Sequence, residues 1–187
     1  MKRLLLVSAL SVAALSAQAS DLGYNYAQFA YDSTDVESTG LDGFAFGASI
    51  KFNDSFYGTF NYKDVDGDLA ELSETNAGIG FIKSTSDKTD WVTELSLVRW
   101  NIGTILGDFD DNGYRLATGL RGMASDKLEL NGKVNYTDVG DFGNGFGVSL
   151  GAVYHVNDTF GLTAGYDFAD VDSTNLDSWT IGARISF

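Results

Sequence analysis

The last nine residues of the chain, WTIGARISF (residues 179–187), decide the fold. Successive side chains of a β-strand point to opposite faces, so every second residue of this segment lies on one face. One face is entirely apolar and consists of Trp179, Ile181, Ala183, Ile185 and Phe187. In a soluble protein a terminal strand frays, and a large aromatic at its last position would have little to pack against. The segment therefore indicates a strand whose apolar face contacts something other than water.

The beginning of the chain is typical of an exported protein. A short basic region, Met1 to Arg3, is followed by an apolar run from Leu4 to Leu15 and by the small residues of a cleavage signal, Ala17-Gln18-Ala19. The apolar run is well short of the ~20 residues that a transmembrane helix needs. We therefore predict that residues 1–19 are a signal peptide and that residues 20–187 form one domain.

The composition limits the partners and the compartment of this domain. Without residues 1–19 the chain has 10 basic and 26 acidic residues, with no Cys and no Pro. Such a negative charge argues against nucleic acid as a partner, because phosphates would be repelled. An exported chain without cysteine has no disulfide, so burial and hydrogen bonding must stabilise it.

Ten segments with period-two alternation follow one another along the domain, and no amphipathic helix is indicated. The predicted strands cover about 23–31, 43–52, 56–63, 76–83, 90–98, 114–123, 127–137, 146–156, 160–168 and 178–187. Their connections alternate in length, with short turns such as Asn53 to Ser55 and long acidic loops. The predicted long loops are 32–42, 64–75, 99–113, 138–145 and 169–177. The repeated unit is thus a β-hairpin.

The second face of these strands distinguishes a membrane barrel from a soluble sandwich. It is rich in small residues, which suit a crowded interior: Gly43, Gly47, Gly78, Gly80, Gly119, Gly147, Gly151, Gly161, Gly165 and Gly182. The apolar face carries aromatics near both ends of the strands. Beside the short turns these are Phe52, Phe56, Tyr154, Phe160 and Phe187, and beside the long loops they are Tyr31, Phe44, Tyr62, Tyr114, Tyr136, Phe146 and Trp179.

The spacing of these two aromatic girdles fits a lipid bilayer. Eight strand steps of ~3.3 Å from Phe44 to Phe52, tilted by roughly 35 to 45°, give a height of about 20 Å, close to the ~25 Å apolar band of an outer-membrane barrel. In lipid every backbone polar group needs an internal partner, which a sheet achieves only by closing on itself. We therefore predict an all-β fold, a closed antiparallel up-and-down transmembrane β-barrel of about ten strands, with eight as the alternative. Both termini fall at the end with the short turns, here called the periplasmic end, and the long loops lie at the extracellular end.

The chain resembles the small bacterial outer-membrane β-barrels of the OmpA and OmpX kind. The last strand of those proteins ends in an aromatic preceded by apolar residues at every second position, as Trp179, Ile181, Ala183, Ile185 and Phe187 do here. The resemblance implies the outer membrane of a Gram-negative bacterium, delivery by periplasmic chaperones, and recognition of this strand by the barrel-assembly machinery. Those relatives have eight strands, whereas the pattern here predicts ten.

The inward face also carries charges, which need partners once they are buried. We expect a paired network in the lumen, formed by Lys51, Lys63, Glu94, Arg115, Arg121, Glu129, Lys133, Asp167 and Arg184. Six of these residues are basic and three are acidic, so a water path through the lumen would favour anions weakly. The sequence contains no pattern typical of a catalytic or cofactor-binding site, so we expect no cofactor.

The predicted long loops contain 17 acidic residues and one basic residue, Arg99. Such an extracellular crown would repel lipopolysaccharide unless divalent cations such as Mg²⁺ or Ca²⁺ bridge the two. The stretch from Asp108 to Gly113 is similar to the first half of a calcium loop, but Gly119 stands where the bidentate acid belongs, which favours a polar turn.

The function that this pattern favours is a structural or surface-interaction barrel, present as a monomer, and the alternative is a narrow porin-like channel for small solutes or ions. An enzyme is not predicted. Ten-stranded relatives include surface proteases with an Asp/His couple in their loops, but the one histidine, His155, lies beside a periplasmic turn.

Overall fold

A computed structural model describes residues 22–37, 39–105 and 107–187. The predicted signal peptide lies outside these residues. The ten strands are β1 (Tyr26–Val36), β2 (Thr39–Lys51), β3 (Phe56–Asp66), β4 (Ala70–Ser86), β5 (Thr89–Thr104), β6 (Gly107–Ser125), β7 (Leu128–Asp138), β8 (Asn144–His155), β9 (Phe160–Val171) and β10 (Thr174–Ser186). A short 3₁₀ turn, Gly140–Phe142, joins β7 to β8. None of the helices in the described residues is long and apolar enough to cross a membrane.

The strands form a closed antiparallel barrel in which each strand pairs with its neighbours in sequence and β1 pairs with β10. The closing pair runs from Tyr26 opposite Ser186 to Val36 opposite Leu176, so the whole length of β1 is hydrogen-bonded on both sides. Closure leaves no open edge in the sheet. The prediction of a closed, up-and-down barrel with ten strands is therefore confirmed, and eight strands are excluded.

The two faces of the sheet are distributed as the alternation predicts. The girdle aromatics point outward, and Trp179 and Phe187 are 63% and 73% exposed on the barrel surface. The small residues point inward, where the strands approach other groups closely: a Cβ at Gly182 would collide with the backbone of Phe29 on β1. Outward apolar side chains in this band are what a lipid environment requires.

The extracellular connections differ from the sequence-based expectation. The residues predicted as long loops are mostly strand, because β1 continues to Val36, β3 to Asp66, β5 to Thr104 and β9 to Val171. The longest strands, β4, β5 and β6, contain 17, 16 and 19 residues. Where the predicted loops begin, the outward positions change from apolar to acidic, so the apolar alternation that indicates a strand is lost. The hydrogen bonds between the strands continue, because the backbone forms them whichever side chain faces outward. The hairpins therefore extend the sheet beyond the apolar band.

An apolar layer lies inside the barrel at its extracellular end. Its buried members form two neighbouring clusters, Leu41, Val65 and Leu72 on one side and Val98, Trp100, Val139 and Val171 on the other. Leu176 packs against both clusters and so joins them. The interior of the hairpin extensions is therefore a hydrophobic core, which explains how strands outside the membrane band stay ordered.

A second apolar layer lies at the periplasmic end. It consists of Tyr24, Tyr57, Ile82 and Val92, with Leu22 packed against them. Tyr24 precedes β1, yet it is only 4% exposed, and its hydroxyl donates a hydrogen bond to Asp90 at 2.9 Å. The residues before the first strand thus fold back into the barrel end.

Candidate functional site

Between the two apolar layers lies a polar chamber of about 350 Å³. Five acidic and five basic residues contribute to its wall: Asp32, Glu74, Glu94, Glu129 and Asp167, and Lys63, Arg115, Arg121, Lys133 and Arg184. Eight of the nine residues predicted for the lumen network lie on this wall. The balance of charge differs from the sequence-based count, which had twice as many inward cations as acids.

Glu74 organises the extracellular side of the chamber. Arg115 donates to both of its carboxylate oxygens, at 2.7 and 3.0 Å, in a bidentate ion pair between β4 and β6. The Trp100 indole Nε1 donates to the same carboxylate at 2.7 Å, and the Asn76 amide donates at 3.1 Å. The carboxylate is thus held by four hydrogen bonds, and through Trp100 it is connected to the apolar layer above it.

Glu94 occupies the middle of the chamber and connects three strands. Its Oε1 accepts a hydrogen bond from Lys133 Nζ on β7 at 2.7 Å and one from the Tyr57 hydroxyl on β3 at 2.6 Å. These contacts cross the lumen rather than follow the sheet, because β3, β5 and β7 are not neighbours in the barrel.

Lys63 on β3 and Asp167 on β9 also face the chamber, and Lys63 lies directly opposite Glu74 in the β3–β4 register. Lys63 Nζ donates to the hydroxyls of Thr34 and Ser178, at 3.3 and 3.2 Å, so it crosses from β3 to β1 and β10. Asp167 interacts electrostatically with Lys63 and Arg115, and Ser149 contacts its carboxylate.

Glu129 is the centre of the periplasmic side of the chamber and is only 1% exposed. Arg121 donates to its two oxygens at 2.8 and 2.9 Å, and Arg184 donates to Oε1 at 3.2 Å. His155 Nε2 lies 3.5 Å from Oε2 of the same carboxylate. Arg121 also donates to the Gly23 carbonyl at 2.7 Å, which ties the N-terminal segment to this cluster.

Lys51, the ninth residue of the predicted network, lies elsewhere. Its ammonium pairs with Asp54 in the turn between β2 and β3, at 3.1 Å, and its side chain is 37% exposed. An inward position at the end of a strand faces the rim rather than the lumen, so Lys51 contacts the periplasmic turn.

The sequence-based interpretation missed Glu74, Asp32 and Asp90. Glu74 and Asp32 fall in predicted long loops, and Asp90 is the first residue of a predicted strand. Extending the alternation of β4 by one step from Asn76 would have placed Glu74 inward, since inward residues on this strand include Leu72, Asn76 and Ile82. The signal was present in the period, but the acidic character of the segment concealed it.

Acidic residues continue onto the outer surface of the hairpin extensions. Outward positions beyond the aromatic girdle include Asp35, Asp42, Asp64, Asp66, Asp108, Asp110, Asp138, Asp170 and Asp177. Two of these acids accept hydrogen bonds from outward tyrosines. The hydroxyl of the girdle residue Tyr31 donates to Asp42 at 2.7 Å, and the Tyr166 hydroxyl donates to Asp177. Arg99, on the outer face of β5, pairs with Asp110 at 2.9 Å.

The stretch from Asp108 to Gly113 is part of β6, in register with β5, and is not the polar turn that its sequence favoured. Asp111 has a local role there. Its carboxylate accepts the backbone N–H groups of Asp141 and Asn112, each at 2.7 Å, and these bonds lower its pKa. Across the described ranges, no group of three or more His, Cys, Asp or Glu side chains has the arrangement of a metal site.

The residues of the predicted assembly signal lie on β10, next to β1, except Phe187, which directly follows this strand. Ile181, Ile185 and Phe187 are exposed on the lipid-facing surface, where they are 73%, 55% and 73% accessible. The backbone N–H of Phe187 donates to the carbonyl of Asn25 at 3.1 Å, so the last residue is still attached to the segment that precedes β1.

Comparison with solved structures finds a match with a TM-score above 0.5, which agrees with the barrel fold, and others at lower scores. The NanC porin shares 9% identity with the chain at a TM-score of 0.57, covering 85% of this chain and 100% of that one. The attachment invasion locus protein Ail of Yersinia pestis shares 12% identity at a TM-score of 0.45, covering 88% and 99%. The N-terminal β-barrel domain of Pseudomonas aeruginosa OprF shares 12% identity at a TM-score of 0.45, covering 88% and 100%. At such identities the likeness concerns the fold alone.

Comparison with curated protein sequences finds no significant match. A family model described as the outer membrane protein beta-barrel domain matches residues 3–187, which is nearly the whole chain. The resemblance to small outer-membrane barrels seen in the sequence is thereby confirmed, and the chain belongs to the outer membrane protein beta-barrel domain family.

Proposed function

We propose that this protein is a closed, non-conducting barrel that serves the cell envelope as a structural or surface-interaction element. One observation carries the proposal: the polar chamber is bounded by an apolar layer at each end, and Glu74, Glu94 and Glu129 are ion-paired inside it. An ion entering from either side would have to leave water for a hydrophobic constriction, and such constrictions block conduction by excluding water.

The ion pairs inside the chamber support the same conclusion. Glu74 with Arg115, Glu94 with Lys133 and Glu129 with Arg121 are all within 2.8 Å at their shortest contact. A buried charge that is already paired offers little attraction to a passing ion, and separating the pair would be costly. The first two of these pairs connect strands that are not adjacent in the sheet, β4 with β6 and β5 with β7, whereas Glu129 and Arg121 lie on the neighbouring strands β7 and β6.

The surface that remains for interaction is the acidic outer face of the hairpin extensions. We expect this acidic face to bind lipopolysaccharide through bridging divalent cations, because the carboxylates of the protein and the phosphates of the lipid otherwise repel one another. The protein is expected to act as a monomer, after delivery by periplasmic chaperones and insertion by the barrel-assembly machinery at the β10 signal.

A narrow channel is the second candidate, and the volume and polarity of the chamber favour it. The two candidates differ in what the apolar layers do. If both layers stay in place the protein is closed, whereas a channel requires that at least one of them move aside while the other leaves a path.

Catalysis is not part of the proposal. His155 is engaged with Glu129 on the periplasmic side of the chamber, where an extracellular substrate has no access. His155 is the one histidine of the chain, and histidine is the side chain best suited to act as a general base near neutral pH.

Single-channel recording of the purified protein in planar bilayers tests the proposal. Wild-type protein is expected to give negligible conductance, and a variant that removes apolar bulk from both layers, Leu41→Ser with Leu72→Ser and Tyr24→Ala, is expected to conduct. Leu116→Ala, which changes a 48% exposed lipid-facing side chain, is the matched control and should stay closed.

The charge preference of the opened variant is a second readout. Because acids and bases are balanced on the chamber wall, the acidic hairpins should dominate and produce a cation preference that declines as salt screens them over a Debye length of ~8 Å at physiological salt. Steady, large openings in the wild type would contradict the closed barrel and would establish the channel instead.

A further inference from the structure

A second cavity, of about 300 Å³, lies at the extracellular end of the barrel above the polar chamber. Its wall comes from the hairpin extensions: Val36, Thr39, Leu41, Leu69, Ala70, Glu71, Leu72, Trp100, Ile102, Phe142, Val171, Thr174 and Leu176. Trp100 and Leu176 also line the polar chamber, so these two side chains form part of the partition between the cavities. The proposed function uses some of these side chains as a barrier to ions and assigns no ligand to the cavity that they line.

The upper cavity is apolar, unlike the chamber below it. Apart from two threonines and Glu71, its wall consists of aliphatic and aromatic residues. Leu41 and Leu72 form its buried floor at 2% and 5% exposure, whereas Leu69 at its tip is 65% exposed. A concave apolar surface of this kind holds water poorly, so an apolar molecule that fits it gains free energy by replacing that water.

The size of the cavity sets the size of the molecule. In a well-studied engineered protein, a cavity of about 150 Å³ lined by aliphatic and aromatic residues binds benzene. A cavity of about 300 Å³ is twice as large and therefore suits a two-ring aromatic or an equally compact aliphatic molecule. The rings of Trp100 and Phe142, whose centroids are 6.3 Å apart, supply an aromatic wall.

The surrounding charges set the sign of the molecule. Glu71 is the one charged residue among the described residues of the wall; its side chain lies over Gly103 on the outer face of the hairpin, at the rim of the cavity, and Asp66 and Asp68 lie in the same hairpin. Arg99, the one basic residue of the predicted extracellular segments, is on the outer face of β5 and is held by Asp110. A carboxylate or phosphate ligand would therefore be repelled, whereas an ammonium group would be attracted by the acids and by the aromatic faces.

We propose that the cavity formed by the hairpin extensions binds a compact apolar molecule, about two fused rings in size, that is uncharged or positively charged. The ligand class follows from the apolar wall, the volume and the acidic surroundings. The site lies at the outside surface of the barrel mouth, so a ligand reaches it from the medium without crossing the polar chamber.

Three probes with the same naphthalene ring system and different charges test the proposal: neutral naphthalene, cationic 1-naphthylmethylammonium and anionic 1-naphthoate. The full chain is expressed with its own N-terminal segment, purified from outer membranes and placed in nanodiscs of zwitterionic lipid. Methyl NMR then follows Leu41, Leu72 and Ile102 in the cavity, with the lipid-facing methyl groups of Leu95 and Leu97 as an internal reference for probe dissolved in the bilayer.

Naphthalene and the ammonium probe are expected to produce saturable chemical-shift changes at the cavity methyl groups. These changes should exceed those of the lipid-facing reference methyl groups. The ammonium should bind on the order of tenfold more tightly than the carboxylate, because carboxylates surround the cavity. Glu71→Gln should reduce this ratio while the affinity for naphthalene stays the same, and this variant changes neither the size of the side chain nor the fold.

Ala70→Phe fills the cavity and is expected to abolish the saturable shifts. Ala77→Phe is its matched control, because it adds the same ring to the same strand on the lipid-facing side and should bind like the wild type. Shifts confined to Leu95 and Leu97, equal binding by both alanine variants, or tightest binding of 1-naphthoate would each overturn the proposal. The binding test does not measure conductance, so its outcome is independent of whether the barrel conducts ions.

Discussion

At the scale of single residues, Glu74 joins several parts of the lumen through its carboxylate. Its carboxylate connects Arg115, Trp100 and Asn76, and thereby joins the charged chamber to the apolar layer above it. Removing one partner of a buried ion pair costs more than the pair itself contributes, because the remaining charge is left without compensation.

We predict that Glu74→Ala lowers the free energy of unfolding by about 3 kcal/mol, since it leaves the Arg115 guanidinium unpaired in the lumen. Urea unfolding in detergent, followed by the change in gel migration, measures the effect. Glu71→Ala, an exposed acid on the same strand, is the control and should change stability little. A second variant, Glu74→Ala with Arg115→Ala, should recover part of the loss, and an equal loss in both would argue against the ion pair as the cause.

Phe187 is the second residue with a prediction of its own. It is 73% exposed, so it contributes little to the protein interior, and it is the last residue of the assembly signal that we predict from the sequence.

Deletion of Phe187 is expected to lower the amount of protein in the outer membrane far more than it lowers stability in detergent, where burial of such a side chain contributes at most about 1.5 to 3 kcal/mol. Phe52→Ala provides a matched control, because Phe52 is 62% exposed at the same end of the barrel. Quantitative immunoblotting of membrane fractions, beside refolding in detergent, separates the two effects. If the two variants reach the membrane equally, Phe187 is a girdle residue and nothing more.

At the scale of elements, the hairpin extensions depend on a few local devices. The 3₁₀ turn Gly140–Phe142 is fixed by Asp111, whose carboxylate accepts the N–H of Asp141 from a different hairpin. Gly140 has a φ of +48°, and a Cβ there would collide with the Asp111 carboxylate, so the turn requires glycine for two reasons.

This contact predicts a pH dependence of the turn. Hydrogen bonds from Asp141 and Asn112 lower the pKa of Asp111 below its ordinary value of 3.8, so the stabilisation is present above that value and is lost as the pH falls through the lowered pKa of the folded state. The amide resonance of Asp141 should therefore move on acidification below about pH 4. In Asp111→Asn this acid-induced movement should disappear, whereas in Asp108→Asn, which changes an exposed acid on the same strand, it should persist.

At the scale of the whole molecule, closure between the first and last strands defines the barrel. Ala27 on β1 lies opposite Ile185 on β10, and the chain contains no cysteine of its own. Directly opposite residues on antiparallel strands have Cβ atoms about 4.5 to 5.5 Å apart, which is near the reach of a disulfide.

We expect the variant with Ala27→Cys and Ile185→Cys to form a disulfide after folding, and the shifted pair, Ala27→Cys with Ala183→Cys, to form it much less. Unboiled protein should migrate as a compact form on a denaturing gel, and the correct disulfide should preserve that compact form at higher temperature. An efficient disulfide in the shifted pair would contradict the register, and a helical circular dichroism spectrum would contradict the fold.

The sequence by itself determined the barrel, because alternation assigns a face to every residue and lipid demands both an apolar outer face and a closed hydrogen-bond network. It likewise placed Arg115, Arg121, Glu129 and Arg184 inward, since their faces follow from the same period. Only the tertiary structure decided which charges meet, because Glu94 and Lys133 approach across the lumen from strands that are not adjacent. It also decided that the acidic segments are strands around an apolar core: Leu41, Leu72 and Trp100 are far apart in sequence, and closure of the barrel brings them into one layer and one cavity.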